Sequence, residues 1–390
     1  MRIIILLAAI AAASISCSRQ ESISAITGRV FELASIQYTA MDACLDEGRC
    51  PKCTDEEGNL ETSDIGWWCS GFYPGSLWYI YEYTADEAIR ELADRHTIRL
   101  EPLRRQHTDH DIGFQINCSY GNALRVTGDE KYRQQIIDCA HRLCWRFNPE
   151  AGVIRSWDFL RNDWRYPVII DNMMNLELLT NAHRMCGVDS LKAIAVQHAQ
   201  TTLKNHFRED WTSWHLLDYD VSNGQVRYRE TVQGYAHESA WARGQAWALY
   251  GYTMMYRETS LPEFLEAAEN IGRMLTERLP EDGIPYWDFD DPDIPEALRD
   301  ASAGAIMASA FVELSTLTED RRLSRDFLAT ARKQIRTLAS DEYLAEPGTN
   351  GCFILKHSTG NIPGGTEIDV PLTYADYYFL EALVRHSKLI

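Results

Sequence analysis

The chain has 390 residues, 45% of them apolar, and carries 57 Asp+Glu against 38 Lys+Arg for a formal charge of −19. A domain takes roughly 100–200 residues and closed barrels take more, so one large domain or two smaller ones would fit. The acidity argues against nucleic acid as a partner and leaves any anionic ligand to local cations. The 11 Trp, 19 Tyr and 12 Phe exclude a disordered chain.

The chain opens MRIIILLAAIAAASISCSRQ, where one Arg precedes an apolar run from Ile3 to Ile15. That run is too short to span a bilayer and fits the apolar segment of a secretory signal. Ser14-Ile15-Ser16 before Cys17 resembles a bacterial lipoprotein cleavage site, with Ser14 where Leu is more usual. The expectation is a signal peptide over 1–16, lipidation at Cys17, a tether over 17–25 and one domain over 26–390. Such a protein sits lipid-anchored in the periplasm or at the outer membrane; plain secretion is the alternative. Cys50-Pro-Lys-Cys53, with Cys44 and Cys69 nearby, has the makings of a four-thiolate zinc site. In an exported protein a local disulfide is the stronger expectation, with connectivity open.

Helical periodicity then recurs in pairs. Leading helices are predicted over 70–83, 113–126, 172–186, 239–257, 302–317 and 373–388. Most are followed, after a short polar turn such as Thr127-Gly128-Asp129 or Gly187-Val188-Asp189, by an amphipathic partner. Leu191 to Phe207, Phe264 to Leu279 and Leu323 to Leu338 show the 3–4 spacing of one buried face. Ser260-Leu-Pro-Glu263 reads as a capping box opening the second of these. A helix at about 22–40 supplies the partner missing from the sixth pair. Six pairs closed end to end make an all-α (α/α)6 toroid, with an open solenoid as the alternative. Sheet content should be small.

Each leading helix is entered through a segment dense in aromatic, charged and Gly residues, including DIGWWCSGFYPGSLW, HTDHDIGF, WRYPVIIDNMMN and QGYAHESAWARGQAW. In a toroid these loops converge on one mouth, which makes a site. Asp111 lies in His110-Asp111-Ile112-Gly113-Phe114, and Asp171 follows Val168-Ile169-Ile170. An acid in apolar company is desolvated and its pKa rises, as a general acid requires. The bland reading is a helix N-cap, the commoner role for an isolated Asp at such a place. Asp109, Asp158, Asp288 and Asp290 are rival acids. His107 and His110 have spacing that a metal would accept, but no second ligand group is identifiable. His215 and His237 are polar-contact or structural histidines, and Arg243, one turn from Trp247, is placed to hold an anion beside an aromatic wall. Trp and Tyr beside carboxylates suit a sugar. No nucleophile elbow, P-loop or dinucleotide glycine signature appears.

From about Asp64 to Leu383 the chain resembles the unsaturated glucuronyl hydrolases, glycoside hydrolase family 88. The blocks that carry the resemblance are WWCSGFYPGSLWYIYE, HDIGF, YPVIIDNMMNLELL, QGYAHESAWARGQAWALYGY, PYWDFD and VPLTYADYYFLEAL. It implies an (α/α)6 barrel and removal of a Δ4,5-unsaturated uronic acid from the non-reducing end of lyase-generated oligosaccharides, with no metal or organic cofactor. It makes Asp171 the catalytic acid/base and Asp111 the second essential carboxylate. His215, Gln233, Arg243 and Trp247 match substrate-contacting positions, and one of Tyr73, Trp67 and Trp68 supplies a stacking aromatic. One departure is visible, Val232 where relatives often carry His. The competing expectations are an unsaturated rhamnogalacturonyl hydrolase acting on pectin fragments and a non-catalytic sugar-binding lipoprotein.

Overall fold

The computed structural model describes residues 21–106, 109–159 and 164–389, so Cys17, His107 and the expected signal peptide lie outside it. Thirteen helices dominate these residues: α1 Ile23–Cys44, α2 Phe72–Thr84, α3 Glu87–Ile98, α4 Ile112–Ile116, α5 Asn122–Thr127, α6 Arg133–Cys144, α7 Asn172–Cys186, α8 Asp189–Asn205, α9 Ala242–Thr259, α10 Pro262–Arg278, α11 Ala301–Leu317, α12 Arg321–Leu338 and α13 Thr373–Ser387. Because α1 begins at Ile23, the domain takes in the last part of the expected tether.

Six inner helical units form a closed ring. α2 packs on α5 and the turn before it, α4 on α7, α7 on α9, α9 on α11, α11 on α13, and α13 back on α2. That last contact rules out the open solenoid. The partners α3, α6, α8, α10, α12 and α1 lie outside, each against its own inner neighbour. Composition explains which helix goes where. α11, ASAGAIMASAFVELSTL, is buried nearly all round, as an inner helix must be. α12 buries only Leu323, Phe327, Ala331, Gln334, Ile335 and Leu338, one stripe of an otherwise charged helix.

Four of the inner helices end on a left-handed residue that opens the turn to the outer partner: Ala85, Gly128, Gly187 and Ser260. Ser260 therefore terminates α9, its N–H donating to the Tyr256 carbonyl, and does not open α10. The expected capping box is absent, and α10 starts instead with Leu261 at the cap and Pro262 at its first position. The helix expected over 113–126 is divided by a π-helical turn, Asn117–Gly121, between α4 and α5.

Strands are few and short: β1 Cys50–Thr54, β2 Leu60–Ser63, β3 Phe147–Asn148, β4 Val153–Ile154, β5 Pro167–Ile169, β6 Leu216–Asp220 and β7 Gln225–Glu230. The three-stranded antiparallel sheet β5–β6–β7 matters most, because it sits at the mouth. The nine described cysteines are all free thiols, so the expected local disulfide is not formed. The Cys53 thiol donates to Glu61 Oε2 at 3.2 Å. Among the described residues no three His, Cys, Asp or Glu side chains gather as a metal site would, and no helix is long and apolar enough to cross a membrane.

Candidate active site

Asp171 and Asp111 both stand at the residue before a helix, α7 and α4, yet neither side chain accepts a capping hydrogen bond. Asp86, Asp300 and Asp320, at the same position of α3, α11 and α12, all do. Both acids have helical φ/ψ (−54°, −27° and −69°, −4°) rather than the extended geometry that turns a side chain back onto the helix. The cap reading fails for these two, and their carboxyls are left for something else.

The short sheet brings Asp171 its partner. β5 pairs with β6 in the register Ile169↔Leu216, and the Ile170 N–H donates to the His215 carbonyl at 3.0 Å. His215 Nε2 thereby lies 3.8 Å from Asp171 Oδ2. The other ring nitrogen, Nδ1, accepts from the Val232 N–H at 3.0 Å, which places the proton on Nε2 and aims that N–H at the acid. Burial, with the Arg243 charge second, drives the ring pKa down to about 3, so His215 is neutral. Val232 meets the ring through its backbone, while its side chain packs on the apolar cluster of Trp164, Ile169 and Leu216.

Asp171 is 13% exposed, and burial pushes its pKa up to about 7 against the opposing pull of the Arg243 charge and its own backbone N–H. Trp247, one turn along α9 from Arg243, is fully buried with its indole N–H unpartnered. Asp171 Oδ2, His215 Nε2, His110 Nε2 and the Trp157 indole N–H are likewise buried without a hydrogen-bond partner. Buried polar groups are rarely left so. Five of them lie around the two acids, where a polar ligand would satisfy them.

Asp111 is held from beneath. Its backbone N–H donates to Asp109 Oδ1 at 2.9 Å, and His110 Nε2 lies 3.4 Å from its Oδ1. Asn175, one turn into α7, accepts from the Phe114 N–H at 2.8 Å and reaches His110 Nδ1 with its amide nitrogen at 3.3 Å. A Cβ at Gly113 would come within 2.5 Å of the Asn175 backbone, so only glycine allows α4 to approach α7 this closely. Ser156 joins the two loops: its carbonyl accepts from the His110 N–H, its N–H donates to the Pro167 carbonyl, and its Oγ accepts from the Ile169 N–H, each at 2.9 Å. Burial first, then Asp109 and Asp171, raise the Asp111 pKa well above the usual carboxylate range.

The other expected site residues divide. Arg243 is 2% exposed and already committed, to Asp300 Oδ2 at 3.0 Å and the Thr359 carbonyl at 2.6 Å, with Trp241 beneath it. It acts on Asp171 by charge rather than as a free anion clamp. Gln233 donates to the Gly360 carbonyl at 3.2 Å. Tyr73 does not belong to the mouth. It faces outward from α2, stacks on Tyr38 at 5.1 Å and donates to the Tyr38 carbonyl. Trp68 packs against Phe72, Phe114 and Tyr374 in the wall, whereas Trp67 is 44% exposed with Lys52 over its ring. Of the three aromatics, Trp67 has a face to offer.

The rival acids are scaffold. Asp158 pairs with Arg146, Asp290 with Arg278, and Asp288 accepts from the Ser239 hydroxyl and the Tyr235 N–H. His237 Nδ1 accepts from the Thr231 N–H. Trp157, Asn175 and Ser156 are missing from the sequence reading. Only Trp157, between His110 and a stack with Phe159, had a signal there, in the aromatic triplet Trp157-Asp158-Phe159.

A helical toroid whose mouth holds two desolvated acids and a neutral histidine has the equipment of a hydrolase acting on a polar ring. Residues 46–382 match the model of Glycosyl Hydrolase Family 88, and the chain belongs to that family. It is 48% identical over 326 residues to an unsaturated glucuronyl hydrolase of Formosa agariphila, covering 83% of this chain and 80% of that one. It superposes with a TM-score of 0.90 on the crystal structure of an unsaturated glucuronyl hydrolase specific for heparin, at 44% identity and over 93% and 97% of the two chains. An Asp-to-Asn mutant of the Streptococcus agalactiae unsaturated glucuronyl hydrolase, complexed with dGlcA-GalNAc6S, gives a TM-score of 0.80 at 26% identity over 96% and 94%.

Proposed function

We propose that the protein removes the Δ4,5-unsaturated uronic acid from the non-reducing end of lyase-generated glycosaminoglycan-type oligosaccharides, by hydrating the enol ether. Membership of the family and the kinship with unsaturated glucuronyl hydrolases support this reading. The observation that carries it is Asp171 itself: a helix-entry acid that caps nothing, with a pKa near 7 and an unpartnered oxygen facing a neutral N–H.

Protonated Asp171 delivers its proton to C4, and the positive charge develops at C5. The carboxylate left behind takes a proton from water as that water adds at C5, which returns Asp171 to its starting form. The two steps are sequential, so one residue serves both. The hydrated sugar opens, releasing the shortened saccharide and a 5-keto sugar acid. Ordinary glycosidases need two carboxylates flanking the anomeric carbon, a demand that hydration of the double bond avoids. His215 donates from Nε2 to whatever oxygen lies between it and Asp171, and Asp111 binds ring hydroxyls. Trp67 stacks on the saccharide.

The enol ether absorbs in the ultraviolet, so turnover is read as loss of that absorbance. Wild type should consume an unsaturated disaccharide and Asp171→Asn should lose at least about 10²-fold in rate. An Asn variant at full rate would remove Asp171 from its role, and binding without consumption would favour a sugar-binding protein. Faster turnover of pectin-derived than of glycosaminoglycan-derived disaccharides would favour the rhamnogalacturonyl activity. Export with a lipid on Cys17 is part of the same reading. Labelling with a radioactive fatty acid should mark the wild type and not Cys17→Ala.

A further inference from the structure

Outer helices run antiparallel to inner ones, so α3 and α6 finish at the face where α4 and α7 begin with the catalytic acids. Between the 3₁₀ turn Glu101–Arg104 and the end of α6 lies a groove of about 370 Å³, lined by Arg104, Arg105, Asp138, His141, Arg142 and Trp145. Trp145 is 76% exposed, more than any other large apolar side chain among the described residues. The Arg142 guanidinium sits 5.3 Å from the centre of its ring and donates to the Gln106 carbonyl. An indole stranded in water contributes nothing to the core. An apolar face framed by N–H donors is what a sugar ring stacks on.

The charge of the groove opposes that of the chain. Glu101 engages Arg104 at 2.5 Å and Arg105 at 3.2 Å, and Asp138 lies 3.7 Å from Arg104 while accepting from Gln134. Three guanidiniums and an imidazole thus face two carboxylates, on a protein of formal charge −19. An acidic polymer is repelled by most of this surface and attracted here. Arg105 and Asp111 are six positions apart in the chain, so their Cα atoms lie at most about 22 Å from each other, even for fully extended backbone.

We propose that this groove is a second binding site, which holds the anionic sugar units downstream of the bond being cleaved. The proposal rests on the function proposed above. It makes the protein prefer oligosaccharides long enough to reach from Asp171 to Trp145, because a tethered second contact raises affinity without touching the chemistry.

The test compares wild type with the double variant Arg105→Glu/Trp145→Ala on an unsaturated disaccharide and an unsaturated hexasaccharide of the same sulfated polymer. Wild type should show the lower KM for the hexasaccharide. The variant should raise that KM roughly three- to tenfold, with kcat and both disaccharide constants unchanged. An unchanged hexasaccharide KM, or an equal rise for both substrates, would overturn the proposal. Calorimetric binding of a saturated hexasaccharide, which has no enol ether, reads the groove separately from the reaction. If wild type left the disaccharide intact the proposed activity would fall, while weaker hexasaccharide binding by the variant would still uphold the groove and equal binding would sink it.

Discussion

At the end of the toroid where the inner helices finish, a cavity of about 480 Å³ is lined by Glu177, Arg257, Glu258, Glu381 and Arg385 among others. Arg257 reaches Glu177, Glu258 and Glu313, Arg385 reaches Glu313 at 3.1 Å, and Glu381 accepts from the hydroxyls of Tyr79, Tyr250 and Ser309. At the end where the inner helices begin, Asp171, His110, His215, Trp157 and Trp247 each leave a buried polar atom without a partner. The first cluster is carboxylates and guanidiniums joined in ion pairs, and the second is an acid among imidazoles and indoles. Partnered charges clamp helices together, whereas unpartnered ones hold desolvation energy in reserve for a ligand. The closed end is a joint and the open end is a socket.

The largest effect is expected from Asp171→Asn. Beyond the loss of turnover, the variant should be more stable than wild type at alkaline pH. The folded pKa of Asp171 lies above its unfolded value, so ionisation weakens the fold as pH rises from about 4 to 7. The advantage of the Asn variant should be small at pH 4 and reach on the order of 2–4 kcal/mol at pH 8, read by urea denaturation. At the other end the trade runs the opposite way. Arg257→Ala removes one partner from each of three carboxylates, of which Glu258 keeps Arg184, Glu313 keeps Arg385 and Glu177 keeps the Asn117 amide, and should cost about 2–3 kcal/mol of stability, with kcat unchanged in the folded fraction. A kcat that fell in step with stability would mean that the two ends are coupled.

A smaller effect concerns pH. The proton donor is the neutral acid, so kcat/KM should fall about tenfold per pH unit above about pH 7. A limb near pH 4 would place the proton on a group other than Asp171. The smallest effect contrasts two kinds of helix-entry aspartate. Asp320 caps α12 by accepting from the Arg322 and Leu323 N–H groups, so Asp320→Ala should lower stability by about 1 kcal/mol and leave turnover alone.

The ring was legible because inner and outer helices bury different fractions of their circumference, and that difference is written in apolar spacing. The two acids were legible from their apolar neighbours, but the sequence could not separate a cap from a catalyst, since both place Asp at the first turn. Backbone torsion decides between them. Tyr73 misled for a related reason: a helix entry supplies aromatics to both its axial and its outward face, and α2 turns this one toward α1. Ser156 and Asn175 were invisible. Their work is done through single hydrogen bonds to backbone groups 11 to 61 residues away, which no spacing rule encodes.

Ring closure has a consequence for how the site comes into being. α13, the last of the described helices, sends Tyr374 against Trp68 and Arg243, and Tyr378 against Trp247. The wall behind Asp171 is therefore incomplete until the final inner helix docks against α2. A chain emerging N-terminus first carries both acids for some two hundred residues before it possesses the pocket that tunes them. Activity switches on at a single late event, the arrival of the keystone.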